Sequence, residues 1–195
     1  PYPNVIRTLR KLKQYPNIKL AMLTDAPHQI ALSRSHKIGV LHFFDGVYGL
    51  EDPQIPIIQN EIAVTQEILF KNLDKWKYGF IGRHRTLPND YRKPSVKGLK
   101  YLLTDLDIKI ESKQDVIFVG DNVFKDVQLC HDAGITSAHA RYGLQFDPSV
   151  MDIIAEFAPD RFIHKGVNLK DTDNFPKADY VFDDFSQLVD LLPED

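Results

Sequence analysis

The strongest constraint on the fold of this chain is the alternation of short, continuously apolar segments with amphipathic helical segments. Residues 18–23 (IKLAML) form one apolar run and residues 115–119 (DVIFV) form another, and both end at turn residues. Strands that are apolar on both faces are typical of parallel sheets covered by helices on both sides. The sequence therefore predicts an α/β protein with a three-layer, mostly parallel sheet.

Turn residues divide the chain into helices and strands. Two helices open at prolines, Pro27 and Pro94, because the fixed φ of proline suits the first helical turn. The predicted helices run from Val5 to the turn at Tyr15, from Pro27 through Ser35, from Pro94 through Leu103, from Val123 to His131, and through 188–192. The predicted strands are 18–23, 115–119, 135–138 and 179–182.

Composition excludes several classes of protein. The length of 195 residues suits one domain, and 24 Lys+Arg against 27 Asp+Glu give no reason to expect nucleic acid as the main partner. A single cysteine cannot form an internal disulfide, which favours a reducing cytoplasm. No apolar run approaches the ~18 residues of a membrane helix.

Acidic residues follow the strand at 115–119. Gly120 allows a tight turn, so Asp121 stands at the carboxyl end of the strand, where open parallel sheets bind ligands. Asp126 lies five residues further on, in the first turn of the next helix. Two carboxylates at one loop suit Mg²⁺, which prefers oxygen ligands. The structural alternative is that Asp121 caps the helix and Asp126 complements its positive end.

Two further residues could bind a phosphate group. Thr24 follows the apolar run 18–23, and its hydroxyl and nearby backbone N–H groups at a helix N-terminus could bind an anion. Lys93 precedes the predicted helix at Pro94, where its ammonium could reach a phosphate. Each has a structural alternative, since Thr24 or Asp25 could cap a helix and most lysines are solvated.

Taken in order, these segments resemble the haloacid dehalogenase-like superfamily of hydrolases. The resemblance is carried by Thr24 in LAMLTDAP, Lys93 in YRKPSVKGL, and Asp121 and Asp126 in VIFVGDNVFKDVQLCHDAGI. The flanking segments PYPNVIRTLRKLK, HFFDGVYG and ADYVFDDFSQL agree, so the similarity covers nearly the whole chain, interrupted mainly between residues 49 and 91. It implies a Rossmann-like fold and a Mg²⁺-dependent phosphatase with an aspartyl-phosphate intermediate.

The resemblance also implies a role for each site residue. Thr24 and the N–H of Asp25 would donate to the phosphoryl oxygens, and Lys93 would neutralise charge on the phosphoryl group and on the nucleophile. Asp121 would hold Mg²⁺, and Asp126 would bind in the second shell of ligands or orient the first. The family more often has Asn in place of Asp25, whose carboxylate could point away, cap the helix or alter the chemistry.

One motif of the family has no counterpart in this chain. Members carry an Asp-x-Asp-x-Thr/Val segment on a first strand, and its first Asp is the nucleophile. Asp105 and Asp107 have that spacing but are expected in a solvated turn. Asp45 and the pair at 183–184 fall at positions that have no catalytic role in the family.

By resemblance, the missing strand lies at the centre of the sheet. We therefore expect the 195-residue chain to be an inactive fragment of a domain whose first strand and most of whose cap lie upstream of Pro1. The alternative is that an element such as residues 77–81 takes the place of that strand.

Residues 50–92 are longer than the usual family link and are interpreted as an insertion in a domain that spans residues 1–195. An extra helix (Ile58, Ile62, Leu69) and a hairpin at the sheet edge are expected, with a cap element as an alternative. The run Trp76, Tyr78, Phe80, Arg83, His84, Arg85 also allows an RNA-binding face, a hypothesis that fails if Arg83, Arg85 and Arg92 lie on different faces. Cys130 is expected in the core.

The leading hypothesis is a phosphate-monoester hydrolase that uses Mg²⁺ and acts on a small phosphorylated metabolite in the cytoplasm. The alternatives are a catalytically silent binding protein on the same scaffold, and a dehalogenase- or phosphonatase-type member. Membrane partners are not expected, nucleic-acid partners are unlikely by charge, and no oligomeric state is predicted.

Overall fold

The computed structural model describes residues 1–51, 82–144 and 176–192. The chain divides into two compact units, the first comprising residues 1–110 and 188–195 and the second residues 111–187. Each unit contains a three-stranded parallel sheet, which confirms the α/β class predicted from the sequence. The predicted helix around residues 58–69 and the segment 77–81 lie outside the described residues. Within the described ranges, no helix has the length and apolarity that crossing a bilayer requires.

The first unit has the strand order β1-β2-β3, with both neighbouring pairs parallel. The hairpin expected between residues 50 and 92 is not what its described part forms, because Arg83–Leu87 pairs in parallel with the strand Gly46–Leu50. The elements of this unit are α1 (Val5–Leu12), β1 (Ala21–Pro27), α2 (His28–Lys37), β2 (Gly46–Leu50), β3 (Arg83–Leu87) and α3 (Lys97–Asp105).

Helices cover both faces of this first sheet. Val47 of β2 belongs to an apolar cluster with Ala31 and Leu32 of α2. Its neighbour Tyr48 donates a hydrogen bond to Asp105 at the end of α3. Because consecutive side chains of a strand point to opposite faces, α2 and α3 lie on opposite sides of the sheet. The predicted three-layer arrangement is therefore present within this unit.

Several element boundaries differ from the prediction, among them those of β1 and α3. The closing helix predicted at 188–192 is a 3-10 helix, Phe185–Leu191. β1 begins at Ala21 rather than Ile18 and continues to Pro27, so it includes the residues expected as a turn. α3 begins at Lys97 instead of Pro94, since the segment before it closes a turn in which the Ser95 N–H donates to the Arg92 carbonyl at 3.0 Å.

The second unit has the strand order β4-β5-β6, again with parallel neighbours. Gly134 ends its helix in the left-handed region at φ 70°, as its position in the sequence predicts. The helix from residue 123 is π-helical in its first five residues and α-helical afterwards. The elements are β4 (Ile117–Gly120), the π-helix Val123–Val127, α4 (Gln128–Ala133), β5 (Thr136–Ala140) and β6 (Tyr180–Phe182).

Asp179 fixes the start of β6 to β5. Its Oδ2 accepts hydrogen bonds from the backbone N–H and the hydroxyl of Ser137, at 2.9 and 2.8 Å, and its Oδ1 accepts one from Lys113 Nζ at 2.6 Å. Lys113 and Ser137 together lower the pKa of Asp179 from 3.8 to about 2, although partial burial opposes the shift. The ionised form of Asp179 therefore stabilises this sheet.

Replacing this carboxylate should destabilise the protein in a pH-dependent way. We expect Asp179→Asn to lower the free energy of unfolding by about 1 to 2 kcal/mol at pH 7, a value reduced by solvent screening. Because the pKa of Asp179 is depressed on folding, its contribution is present above about pH 4 and is lost as the pH falls towards 2. Urea unfolding at pH 7 measures the full contribution, and at pH 2.5 the contribution should be markedly smaller, because this pH lies between the unfolded and folded pKa values of Asp179.

Asp183→Asn is the matched control, since Asp183 pairs with Arg141 at the exposed end of the same sheet. Its effect should be smaller than that of Asp179→Asn. A difference between wild type and Asp179→Asn that persists undiminished at pH 2.5 would contradict the assignment.

Candidate active site

The segment around Thr24 is a bulge in β1. Leu23 pairs with Tyr48 of β2 and Pro27 pairs with Leu50, so four steps along β1 correspond to two along β2. The extra residues leave the regular ladder, an arrangement that redirects side chains at the end of a strand. Thr24 Oγ1 accepts a hydrogen bond from the Ala26 N–H at 3.1 Å inside the bulge.

The bulge replaces the helix cap that was the alternative interpretation of this segment. The N-cap residue of α2 is Pro27, and no side chain caps that helix. The hydroxyl of Thr24 therefore stabilises the local turn at the carboxyl end of β1, close to the backbone N–H of Asp25. This is the position predicted for an anion-binding hydroxyl.

Gly49 is a site-supporting residue that the sequence reasoning missed. A Cβ at position 49 would lie 2.6 Å from the Cα of His28 and 3.0 Å from the carbonyl oxygen of Ala26. The bulge and the start of α2 consequently rest directly on the backbone of β2. The glycine in GVYGL was a signal for this contact, because an isolated glycine in a strand often marks the close approach of another backbone.

Asp25 bonds to the loop that carries Lys93. Its Oδ1 accepts a hydrogen bond from the backbone N–H of Lys93 at 3.0 Å, in a partly buried setting. The carboxylate neither caps α2 nor simply points away, and it joins two of the predicted site residues. The sequence did not indicate this bond, since 68 positions separate the partners and neither has a local pattern that marks it.

The same loop is held from its other side by α3. A Cβ on Gly98 would lie 3.1 Å from the carbonyl oxygen of Tyr91 and 3.3 Å from Leu23 Cδ1, so the first turn of α3 packs closely against β1. Lys93 itself is half-buried and lies in the segment between Tyr91 and this turn. The structure thus brings Thr24, Asp25 and Lys93 together in the first unit.

The two acidic residues of the second unit have different environments. Asp126 is 4% exposed, and its Oδ2 accepts a hydrogen bond from the Asn122 N–H at 3.0 Å. Gly120 leaves room for it, because a Cβ at that position would collide with the Asp126 carboxylate. Asp121 is exposed beyond the end of β4. Asp126 therefore holds the loop, and Asp121 presents its carboxylate outward.

Other residues of this loop complete the arrangement. The helical cap is Asn122, whose side chain accepts a hydrogen bond from the Lys125 N–H at 3.0 Å, so Asp121 is not the cap. Gly143, after β5, packs against Asp121, and a Cβ there would lie 2.8 Å from Asp121 Cβ. Cys130 is 1% exposed and its Sγ donates to the Asp126 carbonyl at 3.0 Å, which confirms its place in the core.

The donor set at Asp121 fits Mg²⁺. Across the described residues, no three His, Cys, Asp or Glu side chains form a group that could hold a metal. Mg²⁺ does not require such a group, because it is usually bound by one or two carboxylates while water and substrate oxygens fill the remaining positions. Asp121 would be the carboxylate that binds it, and Asp126 would orient the loop from within.

Asp105 corrects one expectation from the sequence. Its side chain is only 17% exposed, and it accepts hydrogen bonds from the Tyr48 hydroxyl at 2.8 Å and from Arg85 Nη2 at 3.0 Å. Burial alone would raise the pKa of Asp105, but these hydrogen bonds outweigh it and lower the pKa. The carboxylate fastens α3 to the sheet instead of lying in solvent. Asp107, at 83% exposed, is solvated as expected.

The remaining described candidates for a nucleophile also have structural partners. Asp45 accepts hydrogen bonds from the Leu20 N–H at 2.7 Å and from Lys13 Nζ at 2.9 Å. Asp183 accepts two hydrogen bonds from Arg141, both at 2.7 Å. Each carboxylate links neighbouring elements of its own unit.

The basic residues of β3 are neutralised by acidic neighbours. Arg83 and Arg85 are two residues apart in the strand and so share one face, whereas Arg92 lies outside the strand, after the 3-10 helix Asn89–Tyr91. The RNA hypothesis therefore stays a prediction. The guanidinium groups of Arg83 and Arg85 nevertheless approach Asp105, at 3.9 and 3.0 Å. Their charge is thereby offset within the fold.

The fold and these residues define an α/β protein whose candidate anion-binding and cation-binding groups follow the carboxyl ends of parallel strands. A family model for hydrolases, described as haloacid dehalogenase-like hydrolase, matches residues 1–134. The match covers more than half of the chain, which therefore belongs to the haloacid dehalogenase-like hydrolase family. No curated protein matches the sequence.

Similarity to solved structures agrees with this fold. A p-nitrophenyl phosphatase from Archaeoglobus fulgidus superimposes with a TM-score of 0.50 at 14% sequence identity. The superposition covers 98% of this chain and 93% of that chain. At this level of identity the likeness establishes the shared fold alone.

The hydrogen bond between Tyr48 and Asp105 yields a test of the structural role of Asp105. Tyr48 is fully buried, so Tyr48→Phe should lower the free energy of unfolding by about 1 to 3 kcal/mol, because the buried carboxylate loses a donor. Urea denaturation at pH 7 measures the change. Tyr180→Phe, the same substitution at a residue that is 41% exposed, should change stability by no more than about 0.5 kcal/mol. Equal effects of the two substitutions would argue against the network.

Proposed function

We propose that this protein is a Mg²⁺-dependent phosphate-monoester hydrolase that acts on a small phosphorylated metabolite. The observation that carries the proposal is the division between Asp121 and Asp126, one exposed at the end of β4 and the other buried beneath the same loop. Phosphoryl transfer requires positioned positive charge more than covalent assistance, and Mg²⁺ held by a carboxylate would provide part of that charge.

The first unit supplies groups suited to the phosphoryl oxygens. The Thr24 hydroxyl and the Asp25 N–H lie at the carboxyl end of β1, and Lys93 is joined to Asp25 through its backbone. In the proposed reaction Thr24 donates to the phosphoryl group and Lys93 neutralises its negative charge. Bound Mg²⁺ would polarise a phosphoryl oxygen.

The proposed route needs an aspartate nucleophile, and none of the candidates considered within residues 1–51, 82–144 and 176–192 suits that task. Asp105 is committed to Tyr48 and Arg85, and Asp45 is committed to Leu20 and Lys13. We infer that the 195-residue chain binds phosphate and Mg²⁺ but does not turn over an ester. A catalytically silent binding protein is the alternative that this observation favours. A cytoplasmic location is proposed because the sequence has a single cysteine, Cys130, which cannot form an internal disulfide.

The test compares the 195-residue chain, its mass verified by mass spectrometry, with the product of the complete reading frame. Hydrolysis of p-nitrophenyl phosphate is followed with Mg²⁺ and with EDTA, and binding of inorganic phosphate is followed by calorimetry. We expect phosphate binding by both proteins but Mg²⁺-dependent hydrolysis by the complete product alone. Binding without hydrolysis by either protein would favour the silent alternative. Turnover by the pure 195-residue chain would refute the inference about the nucleophile.

The two acidic residues should differ in their effect on Mg²⁺ binding. Asp121→Asn removes the proposed ligand and should weaken Mg²⁺ affinity at least about tenfold, measured by calorimetry in the presence of inorganic phosphate. Asp126→Asn keeps an oxygen that can accept a hydrogen bond from the Asn122 N–H, so the Mg²⁺ affinity of this variant should differ from that of the wild type by less than about threefold. Gly143→Ala should weaken binding because the new methyl group would displace Asp121. Equal effects of Asp121→Asn and Asp126→Asn, or no effect of either, would count against Asp121 as the ligand.

A further inference from the structure

The backbone of Lys93 has an anchor that neither the family motif nor the local sequence indicates. We propose that Asp25 is a positioning residue, which holds Lys93 for phosphate binding by accepting the hydrogen bond of its backbone N–H. This inference rests on the proposed function. It gives a structural role to the Asp25 carboxylate, whose negative charge is otherwise unfavourable beside a phosphate.

A lysine needs such an anchor more than most phosphate-binding groups do. Its ammonium is a point charge at the end of a flexible four-carbon stem, so the backbone determines which positions the charge can reach. The segment before α3 contains a short 3-10 turn, Asn89–Tyr91, and a turn closed by Ser95 N–H and the Arg92 carbonyl. Lys93 is the second residue of the latter turn and lies outside any helix or strand.

The anchor connects that segment to the bulge of β1. Asp25 belongs to the bulge of β1, which rests on the backbone of Gly49 and is closed internally by Thr24 Oγ1. The bond at 3.0 Å therefore ties Lys93 to the same turn that presents the Thr24 hydroxyl. Two groups proposed to bind one phosphoryl group are thereby held by a single local structure.

The chemistry of the acceptor explains why a carboxylate serves here. A hydrogen bond from a backbone N–H to an ionised oxygen is stronger than one to a neutral oxygen. Both oxygens of a carboxylate accept, whereas an asparagine presents an acceptor on one side only. Asn at position 25 can therefore make the same bond, which provides a conservative variant for the test.

The experiment compares Asp25→Ala, Asp25→Asn and the control Asp90→Ala. Asp90 lies in the same loop and pairs with Lys97 at 2.6 Å, so its removal takes away an equal charge without touching Lys93. Inorganic phosphate is titrated into each protein by calorimetry. We expect about tenfold weaker binding by Asp25→Ala, equal or tighter binding by Asp25→Asn, and a change within about twofold for Asp90→Ala.

A second measurement reports on the anchor without any ligand. In ¹H–¹⁵N spectra, the Lys93 amide of the wild type and of Asp25→Asn should be shifted downfield and protected from hydrogen exchange. In Asp25→Ala the same amide should move upfield and exchange faster, while urea unfolding shows that the variant remains folded. If Asp25→Ala does not fold, protection of Lys93 in the other two proteins decides the existence of the anchor.

The results distinguish a failure of the proposed phosphate site from a failure of the proposed role of Asp25. Failure of the wild type to bind inorganic phosphate would overturn the proposed phosphate site, and the amide measurement would still decide whether the anchor exists. Phosphate binding that is the same in wild type and in Asp25→Ala would overturn the positioning role. Equal loss of binding in Asp25→Ala and Asp25→Asn would overturn it too, because Asp25→Asn keeps an oxygen that can accept from the Lys93 N–H.

Discussion

The close contact between the bulge of β1 and the backbone of β2 is the constraint on which the first unit depends. Two backbones can approach this closely only where one of them lacks a side chain, and Gly49 provides that position. The contact sets the direction of the turn that contains Thr24, the start of α2 and the carboxylate of Asp25. The candidate anion-binding groups are consequently placed by the sheet itself, since only a short bulge separates them from the ladder.

In the second unit, glycines again make close contacts possible, here around the acidic residues of the candidate cation site. A carboxylate that is to bind a cation must remain exposed, but the loop that carries it must be rigid. Asp126 holds the loop because its buried carboxylate accepts a hydrogen bond from the Asn122 N–H. Asp121, five residues earlier, provides the exposed charge. Gly120 and Gly143 make room for these two side chains. The spacing of five residues thus separates a structural carboxylate from a functional one.

Asp105 shows how burial determines what an acidic residue can do. Its spacing from Asp107 resembles a catalytic pair, yet a carboxylate that accepts hydrogen bonds from Tyr48 and Arg85 is held against the sheet. Without these donors, the partly buried carboxylate between α3 and β2 would lower the stability of the fold. The network therefore stabilises the packing of a helix on a sheet and commits the Asp105 carboxylate to that packing.

The sequence by itself determined the α/β class, most of the described elements, and the placement of Asp121 directly after a strand with Asp126 in the helix that follows. These features follow from local patterns, because apolar runs, prolines and glycines act on the chain within a few residues. Only the tertiary structure decided that Arg83–Leu87 is a parallel strand, that Asp25 accepts from Lys93, and that Asp105 is partly buried against the sheet. Each of these depends on partners 20 to 68 positions away, and contacts at such distances are set by how whole elements pack rather than by neighbouring residues.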